Sequence, residues 1–253
     1  MRKRNLAATL LMLVAPALLG QTADELVTKY MQARGGMEKI KTIQSMRMTG
    51  TMTTGQLDVP IVMLMKRPNL VRMEFEVQGV TGVRAYDGEN GWALMPFLGT
   101  PDATPITGQE LKEFGDQSDI DGGLVDYKAK GSTVELVGKE KVDGADAYKL
   151  KVTRKNGDVD TVFLDAVTYL QIREEGQRTV QGSLKDFETK IGDYRDVEGL
   201  KFPYAIVSGV KGDTQHQNLT IQKVELNVPA DASLFKMPRA GATPPGPSSG
   251  PAR

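Results

Sequence analysis

The sequence predicts a mainly β protein with a few helices. One observation is the alternation over residues 71–77, where four apolar residues share one face and Arg72, Glu74 and Glu76 share the other. A period of two is typical of a strand with one dry and one wet side. The other observation is a series of short β-like segments near residues 133–142, 146–154, 158–165, 168–174, 180–193, 202–211 and 214–226. Glycine-containing turn pairs separate several of them, which indicates antiparallel hairpins in a meander.

Residues 59–92 are the clearest run of predicted sheet. A dense apolar segment covers residues 59–65, and Pro68-Asn69 predicts a turn after it, because proline fixes φ and asparagine tolerates unusual backbone angles. Asp87-Gly88 predicts a second turn just before Trp92, the only tryptophan. The three prolines within residues 96–105 predict a loop after this sheet.

The two ends of the chain differ from the rest in composition. Residues 1–20 have a basic start and a short apolar run, which is the pattern of a secretory signal peptide. Gln21 stands where a lipoprotein would carry its lipidated cysteine, so we expect a soluble mature chain in the periplasm. Residues 239–253 hold no apolar side chain larger than alanine and predict a disordered Pro/Gly/Ser tail. Residues 21–238 then form the folded domain.

Charge and cysteine content exclude several classes of function. The chain has 32 Lys+Arg and 32 Asp+Glu, and residues 1–20 contain three of the basic residues and no acidic one. The remainder is slightly acidic, which gives no reason to expect nucleic-acid binding. The absence of cysteine excludes disulfides, a thiol nucleophile and a cysteine zinc site. We expect a monomer.

Two helices are predicted from their start signals. Thr22 and Glu25 form a capping box at the beginning of the first helix, and Gly35-Gly36 ends it. Thr107 and Glu110 form a second capping box.

The second helix presents Leu111 and Phe114 on an apolar side. Asp119-Ile120-Asp121-Gly122-Gly123 interrupts it, and residues 124–127 are expected to resume it. A calcium loop aligned on Gly122 would place Lys128 at the twelfth ligand position, where a bidentate glutamate belongs. We therefore interpret this acidic segment as a polar turn.

Methionine is concentrated in the first half of the chain, with nine of the twelve methionines between Met31 and Met95. Ordinary core filling is one explanation, and an adaptable lining for ligands of variable shape is the other. The candidate ligand-binding residues are apolar residues of this region: Met46, Met48, Met52, Met63, Met65, Met73, Phe75 and Trp92, the last at the rim.

No catalytic residue, metal ligand or cofactor motif is predicted. His216 is the only histidine and lies in a polar turn, without a second histidine or a cysteine for metal binding. The sequence contains no nucleophile elbow, phosphate loop or dinucleotide fingerprint.

The run Lys66-Arg67-Pro68-Asn69-Leu70, followed by Asp87-Gly88, Trp92 and Pro96-Phe97, resembles the LolA-like family of periplasmic lipoprotein carriers. This resemblance implies an unclosed antiparallel β-barrel of about eleven strands around an apolar cavity. It also implies a helical lid, which maps to the first helix and residues 109–127. Lid gating is then assigned to Leu111, Phe114 and Arg67, because the arginine of this motif contacts the lid in the carriers.

These observations support three hypotheses of function. The first is a non-catalytic periplasmic carrier of lipoproteins or other acylated, apolar ligands, with envelope membrane proteins as further partners. The alternative is a regulatory module of the same fold that senses envelope stress by binding a partner protein or a lipid. An enzyme that acts on lipids ranks last, since the residues for it are missing.

Overall fold

The computed structural model describes residues 21–180 and 183–239. The predicted signal peptide and residues 240–253 of the predicted tail lie outside this part of the chain. The described elements, in chain order, are α1 (Ala23–Ala33), α2 (Met37–Thr42), β1 (Ser45–Thr54), β2 (Leu57–Lys66), β3 (Leu70–Val77), β4 (Val80–Tyr86), β5 (Gly91–Met95), a 3-10 turn (Pro96–Leu98), β6 (Thr100–Ile106), α3 (Gly108–Asp116), β7 (Thr133–Val142), β8 (Ala145–Thr153), β9 (Val159–Asp165), β10 (Gln171–Val180), β11 (Ser183–Val197), β12 (Leu200–Val210), β13 (Gln217–Leu226) and a second 3-10 turn (Ala232–Phe235).

All thirteen described strands form one antiparallel sheet in the order β6-β5-β4-β3-β2-β1-β13-β12-β11-β10-β9-β8-β7. Only the β1–β13 pairing joins strands distant in sequence, so the sheet consists of two meanders side by side. The strands β6 and β7 are the two edges, and α3 with the 117–132 loop connects them. The sheet is therefore unclosed, as predicted, but it contains more than the expected eleven strands.

The strand β6 corrects the prediction of a loop over residues 96–105. Pro101 and Pro105 lie within β6. Proline removes a backbone donor and is tolerated in a sheet mainly at an edge, where one side of the strand needs no partner. Because β6 is an edge strand, both prolines fit it.

The two predicted capping boxes have different outcomes. At α1, the Thr22 backbone amide donates to Glu25 Oε2 at 2.9 Å, and the Glu25 amide donates to Thr22 Oγ1 at 3.2 Å, so this box is confirmed. At α3 the helix is present, but Thr107 makes no side-chain cap bond. The second box is therefore not formed, and Glu110 instead accepts a hydrogen bond from Arg84 Nη2 of β4 at 2.7 Å.

Residues 124–127 do not resume the helix. They lie in the 117–132 loop, whose residues form successive turns. Asp126 has a φ of 50°, in the left-handed region that a right-handed helix cannot contain. The preceding acidic segment does form a turn, as predicted, but it does not join two helical pieces.

The helices pack against one face of the sheet, which we call the inner face. Leu26, Val27 and Tyr30 of α1, Ile40 of α2 and Phe114 of α3 belong to one buried cluster with inner-face residues of the strands. Burial of apolar side chains at about 25 cal/mol per Å² holds the helices there. The cluster leaves part of the same face half-buried, and that part contains the candidate site.

Candidate ligand-binding face

The predicted methionines lie side by side on the inner face of β1, β2 and β3. Directly opposed residues of antiparallel strands point to the same side of a sheet. Met46 opposes Met65, and Met65 opposes Val71. The next row consists of Met48, Met63 and Met73, and Met52 is two residues further along β1. Phe75 opposes Ile61 on the same side.

Burial of this face changes along the strands. Met46 and Met65 are 4% exposed and belong to the buried cluster under the helices. Met48, Met63 and Met73 are only half-buried and pack against the edge of that cluster, while Met52 and Phe75 are half-buried beyond it. The structure therefore brings seven of the eight predicted ligand-binding residues together. Five of them are partly open to solvent.

Trp92 does not belong to this group, which corrects its placement at the rim. Trp92 of β5 is paired with Ala85 of β4, and Ala85 is paired with Arg72 of β3. All three side chains therefore lie on the outer face of the sheet. Its indole is 1% exposed, and Nε1 donates to the Phe235 carbonyl at 2.8 Å. Residues 227–239, which we call the C-terminal strap, cross the outer face here. The alternation alone placed Trp92 in sheet, but it could not show which face the strap covers.

The C-terminal strap is fixed to the outer face by several polar contacts. Lys66 Nζ donates to the Ala230 carbonyl at 2.6 Å, and Arg72 Nη1 donates to the Leu234 carbonyl at 2.9 Å. Leu64 packs in a small buried cluster with Leu234 and Phe235. The strap thus covers the outer face of β2 and β3 around Leu64, Lys66 and Arg72.

Both predicted lid residues of α3 face the sheet. Phe114 is 1% exposed and lies in the main buried cluster, and Leu111 packs against that cluster. A Cβ on Gly91 of β5 would lie 2.8 Å from Leu111 Cδ1, so the glycine lets the helix approach the strand. This contact places α3 over the inner face near β5.

Arg67 contacts two parts of the helical layer. Its Nε donates to the Ile43 carbonyl at 2.5 Å and its Nη2 to the Ile40 carbonyl at 3.2 Å, both at the end of α2. Nη1 and Nη2 bind Asp121 Oδ2 and Oδ1 at 2.7 and 2.6 Å. The Asp121 bonds raise the pKa of Arg67, so the guanidinium stays charged. The peptide bond between Arg67 and Pro68 is cis.

A second arginine holds the same acidic residue. Arg34, at the end of α1, donates from Nη1 to the Asp121 carbonyl at 2.8 Å and to the Tyr30 hydroxyl at 3.3 Å. Only 9% of Arg34 is exposed. Asp121 therefore connects the end of α1 with the turn between β2 and β3. The sequence could not assign this role to Asp121, because its partners are distant in the chain.

The far end of the inner face is covered by the 3-10 turn Pro96–Leu98. Gly82 opposes Phe75, and a Cβ on Gly82 would lie 2.5 Å from Phe97 Cε1 and 2.8 Å from Met95 Sδ. Only glycine leaves room for the Phe97 ring at this point. The half-buried methionine row therefore lies between the helices at one end and Phe97 at the other.

The inner face of the other meander is polar at one end. Asp160 is 2% exposed and forms ion pairs with Arg154 at 2.6 Å and Arg178 at 3.3 Å. Glu174 opposes Val162 and lies 3.9 and 3.8 Å from the same two arginines. Removal from water, together with the negative charge of Asp160, raises the pKa of Glu174. The alternation of charges in the sequence did not reveal this cluster.

The described residues offer no arrangement that indicates metal binding: no group of three or more His, Asp or Glu side chains could hold an ion. His216 is half-buried in the turn before β13. None of the described helices is long and apolar enough to cross a membrane.

Comparison with known proteins supports the fold. No protein-family model and no curated protein sequence matches the chain. A DUF1329 family protein from Desulfovibrio piger aligns with a TM-score of 0.61 at 14% identity, over 85% of this chain and 97% of that one. A LolA superfamily protein from Nitrosomonas europaea aligns with a TM-score of 0.59 at 14% identity, over 86% and 98%. The fold is LolA-like.

A third structure agrees with this assignment. A domain of an outer membrane lipoprotein-sorting protein from Vibrio parahaemolyticus aligns with a TM-score of 0.52 at 13% identity, over 83% of this chain and 97% of that one. The unclosed antiparallel sheet with helices on one side is the architecture expected of a LolA-like fold. Identities this low establish the architecture alone.

Proposed function

We propose that this protein is a non-catalytic carrier that binds acylated or otherwise apolar ligands on the half-buried inner face and releases them under control of its helices. The observation that carries this proposal is the methionine row of Met48, Met63 and Met73, apolar yet partly open to solvent. A core that served packing alone would bury these side chains as fully as Met46 and Met65. Unbranched thioethers adapt to ligands of different shape.

The free energy of binding an acyl chain is so favourable that a carrier needs an opposing contribution in order to release it. Burying an acyl chain contributes about 0.8 kcal/mol per methylene, so a long chain contributes on the order of 10 kcal/mol. A helical layer that prefers to close on the empty face opposes binding, because closure and ligand compete for the same surface. Arg67 supports this role, since it joins α2 and the 117–132 loop to the sheet through four bonds.

The location and partners belong to the same proposal. We place the mature protein in the periplasm after cleavage of residues 1–20, with lipoproteins or other acylated molecules as ligands and envelope membrane proteins as exchange partners. The LolA-like fold supports this assignment, because two of the similar structures belong to the LolA superfamily and to an outer membrane lipoprotein-sorting protein.

The experiment is displacement of a fluorescent fatty-acyl probe from the purified mature protein. We expect micromolar or tighter binding, and Met63→Gln should weaken it about tenfold, because a polar amide replaces a thioether at the centre of the row. Met237→Gln is the matched control, since Met237 is 45% exposed on the C-terminal strap, away from the inner face. Failure of the probe to bind, or equal loss in both variants, would contradict the proposal.

Native mass spectrometry of protein from the periplasm distinguishes the alternatives. A co-purifying acyl chain supports a carrier. A membrane-protein partner without lipid would support the regulatory module instead, and turnover of a lipid that is lost on substitution of His216 would support an enzyme.

A further inference from the structure

One charged residue stands on the otherwise uncharged part of the inner face. Arg84 of β4 opposes Met73 of β3 and Ala93 of β5, so it extends the row of Met48, Met63 and Met73. Within the described strands β1 to β5, every other position on the inner face carries an uncharged residue.

The guanidinium of Arg84 leaves one of its buried hydrogen-bond donors without an acceptor among the described residues. Its Nη2 donates to Glu110 Oε1 of α3 at 2.7 Å, and its guanidinium carbon lies 4.9 Å from the centre of the Phe114 ring. Its Nε is buried and has no hydrogen-bond partner among the described residues. A buried donor without an acceptor carries a free-energy cost, because it has lost its bond to water and gained no other. An oxyanion that accepted two parallel bonds from this guanidinium would remove that cost.

The two members of the ion pair differ in exposure. The Arg84 side chain is 28% exposed, whereas the Glu110 side chain is 62% exposed at the start of α3. Glu110 can therefore turn into water at little cost, because an ion pair at the surface contributes little to stability. Arg84 has no comparable alternative, since it lies between Met73, Ala93 and Phe114.

We propose that Arg84 binds the anionic head group of a single-chain amphiphile whose acyl chain lies along the methionine row, and that Glu110 occupies Arg84 when the site is empty. This inference rests on the proposed carrier function and names its ligand class: a carboxylate or a phosphate joined to one apolar chain. In the empty protein the Glu110 carboxylate accepts a bond from Arg84 Nη2, and the ligand anion replaces it there.

The test compares three probes that share one chain length: dodecanoate, dodecyl phosphate and the neutral dodecanol, each titrated into the mature protein by calorimetry. A hydrogen bond between two charged groups is stronger than one to a neutral hydroxyl, so at least one anion should bind about tenfold or more tightly than the alcohol. The better of the two anions identifies a carboxylate or a phosphate head group. Equal binding of all three probes would overturn the inference while leaving the carrier function intact, and binding of none would overturn the carrier function itself.

Two variants separate a head-group site from a purely structural ion pair. Arg84→Met should lower the affinity for the preferred anion about tenfold or more and leave dodecanol unchanged. Glu110→Gln should raise the affinity for that anion, because the competing carboxylate is gone, and again leave dodecanol unchanged. If Arg84 only fastened α3 to the sheet, both variants would shift all three probes in the same direction, and that result would overturn the inference.

Discussion

The Arg67 guanidinium and the Asp121 carboxylate form two parallel hydrogen bonds of 2.7 and 2.6 Å across 54 residues of sequence. The exposed fractions of the two side chains are 25% and 11%, so the pair is largely removed from water. It joins the turn between β2 and β3 to the 117–132 loop. Parallel bonds between arginine and a carboxylate are among the stronger polar contacts in proteins.

We predict that this pair contributes measurably to the free energy of unfolding. A double-mutant cycle with Arg67→Leu and Asp121→Asn, followed by urea unfolding, should give a coupling energy of about 1–3 kcal/mol. The matched control is the pair of Lys141 and Asp146, which is 69% and 68% exposed and should give about 0–1 kcal/mol. Equal coupling in the two cycles would show that Arg67 and Asp121 behave as an ordinary surface pair.

Release of ligand should depend on the same arginine. Arg67→Leu loosens α2 and the 117–132 loop in the empty protein, so a bound acyl probe should transfer more slowly to acceptor vesicles. Arg67→Lys should restore the rate only in part, because lysine lacks the planar fork. Hydrogen exchange should show faster exchange at the Ile43 amide and unchanged exchange in β8 and β9. Transfer at the wild-type rate would place the control of release elsewhere.

Trp92 should report on the C-terminal strap and not on the ligand face. Because its indole is buried under Phe235, we expect blue-shifted emission, weak quenching by acrylamide and little change when an acyl ligand is added. Trp92→Phe removes the bond to the Phe235 carbonyl and should lower the free energy of unfolding by about 1–3 kcal/mol. Emission typical of an exposed indole would contradict the outer-face placement.

Local patterns in the sequence were sufficient for most of the strands, the first helix and the methionine face. The alternation in β3 and the row of methionines in β1 follow from a period of two, which any strand with one dry side must show. The prediction for β6 was wrong because its prolines are typical of a loop. A strand tolerates proline mainly at the edge of a sheet, and the sequence of one strand does not show whether it lies at an edge.

The polar part of the site could not be predicted, because its partners are remote in sequence. Asp121 meets Arg67 and Arg34, and Glu110 meets Arg84, only after the helices have packed on the sheet. The predicted placement of Trp92 at the rim was wrong for a related reason, because the distant residues 227–239 determine which side of the sheet they cover. Only the position of Arg84 could have been predicted locally. In a strand, Arg84 lies on the same side as Gly82 and Tyr86, and this is the side of the methionines.

Stability should depend on pH through Glu174. Its folded-state pKa is raised above the ordinary 4.5, so the folded protein binds this proton more tightly than the unfolded chain does. The stabilisation from this group is therefore complete below about pH 4.5 and is lost as the pH rises through the folded-state pKa. Glu174→Gln should be more stable than the wild type at pH 7, and this advantage should shrink as the pH falls.

Thermal unfolding of both proteins between pH 4 and pH 8 measures that difference. The control is Glu135→Gln, because Glu135 lies 3.8 Å from Lys151 and is 63% exposed. The difference in thermal stability between Glu135→Gln and the wild type should change little with pH. If the stability advantage of Glu174→Gln over the wild type grew toward low pH, the pKa of Glu174 would be lowered in the folded protein and not raised.

The most direct test of the carrier account is nuclear magnetic resonance of isotopically labelled methionine methyl groups, assigned by single Met→Leu substitutions. On titration with a fatty-acyl ligand, we predict shifts for Met48, Met63 and Met73 and none for Met237 on the C-terminal strap. Saturable shifts confined to the first three would place the ligand on the inner face. No shift at these three methyl groups, while the ligand binds, would show that the methionines only fill the core.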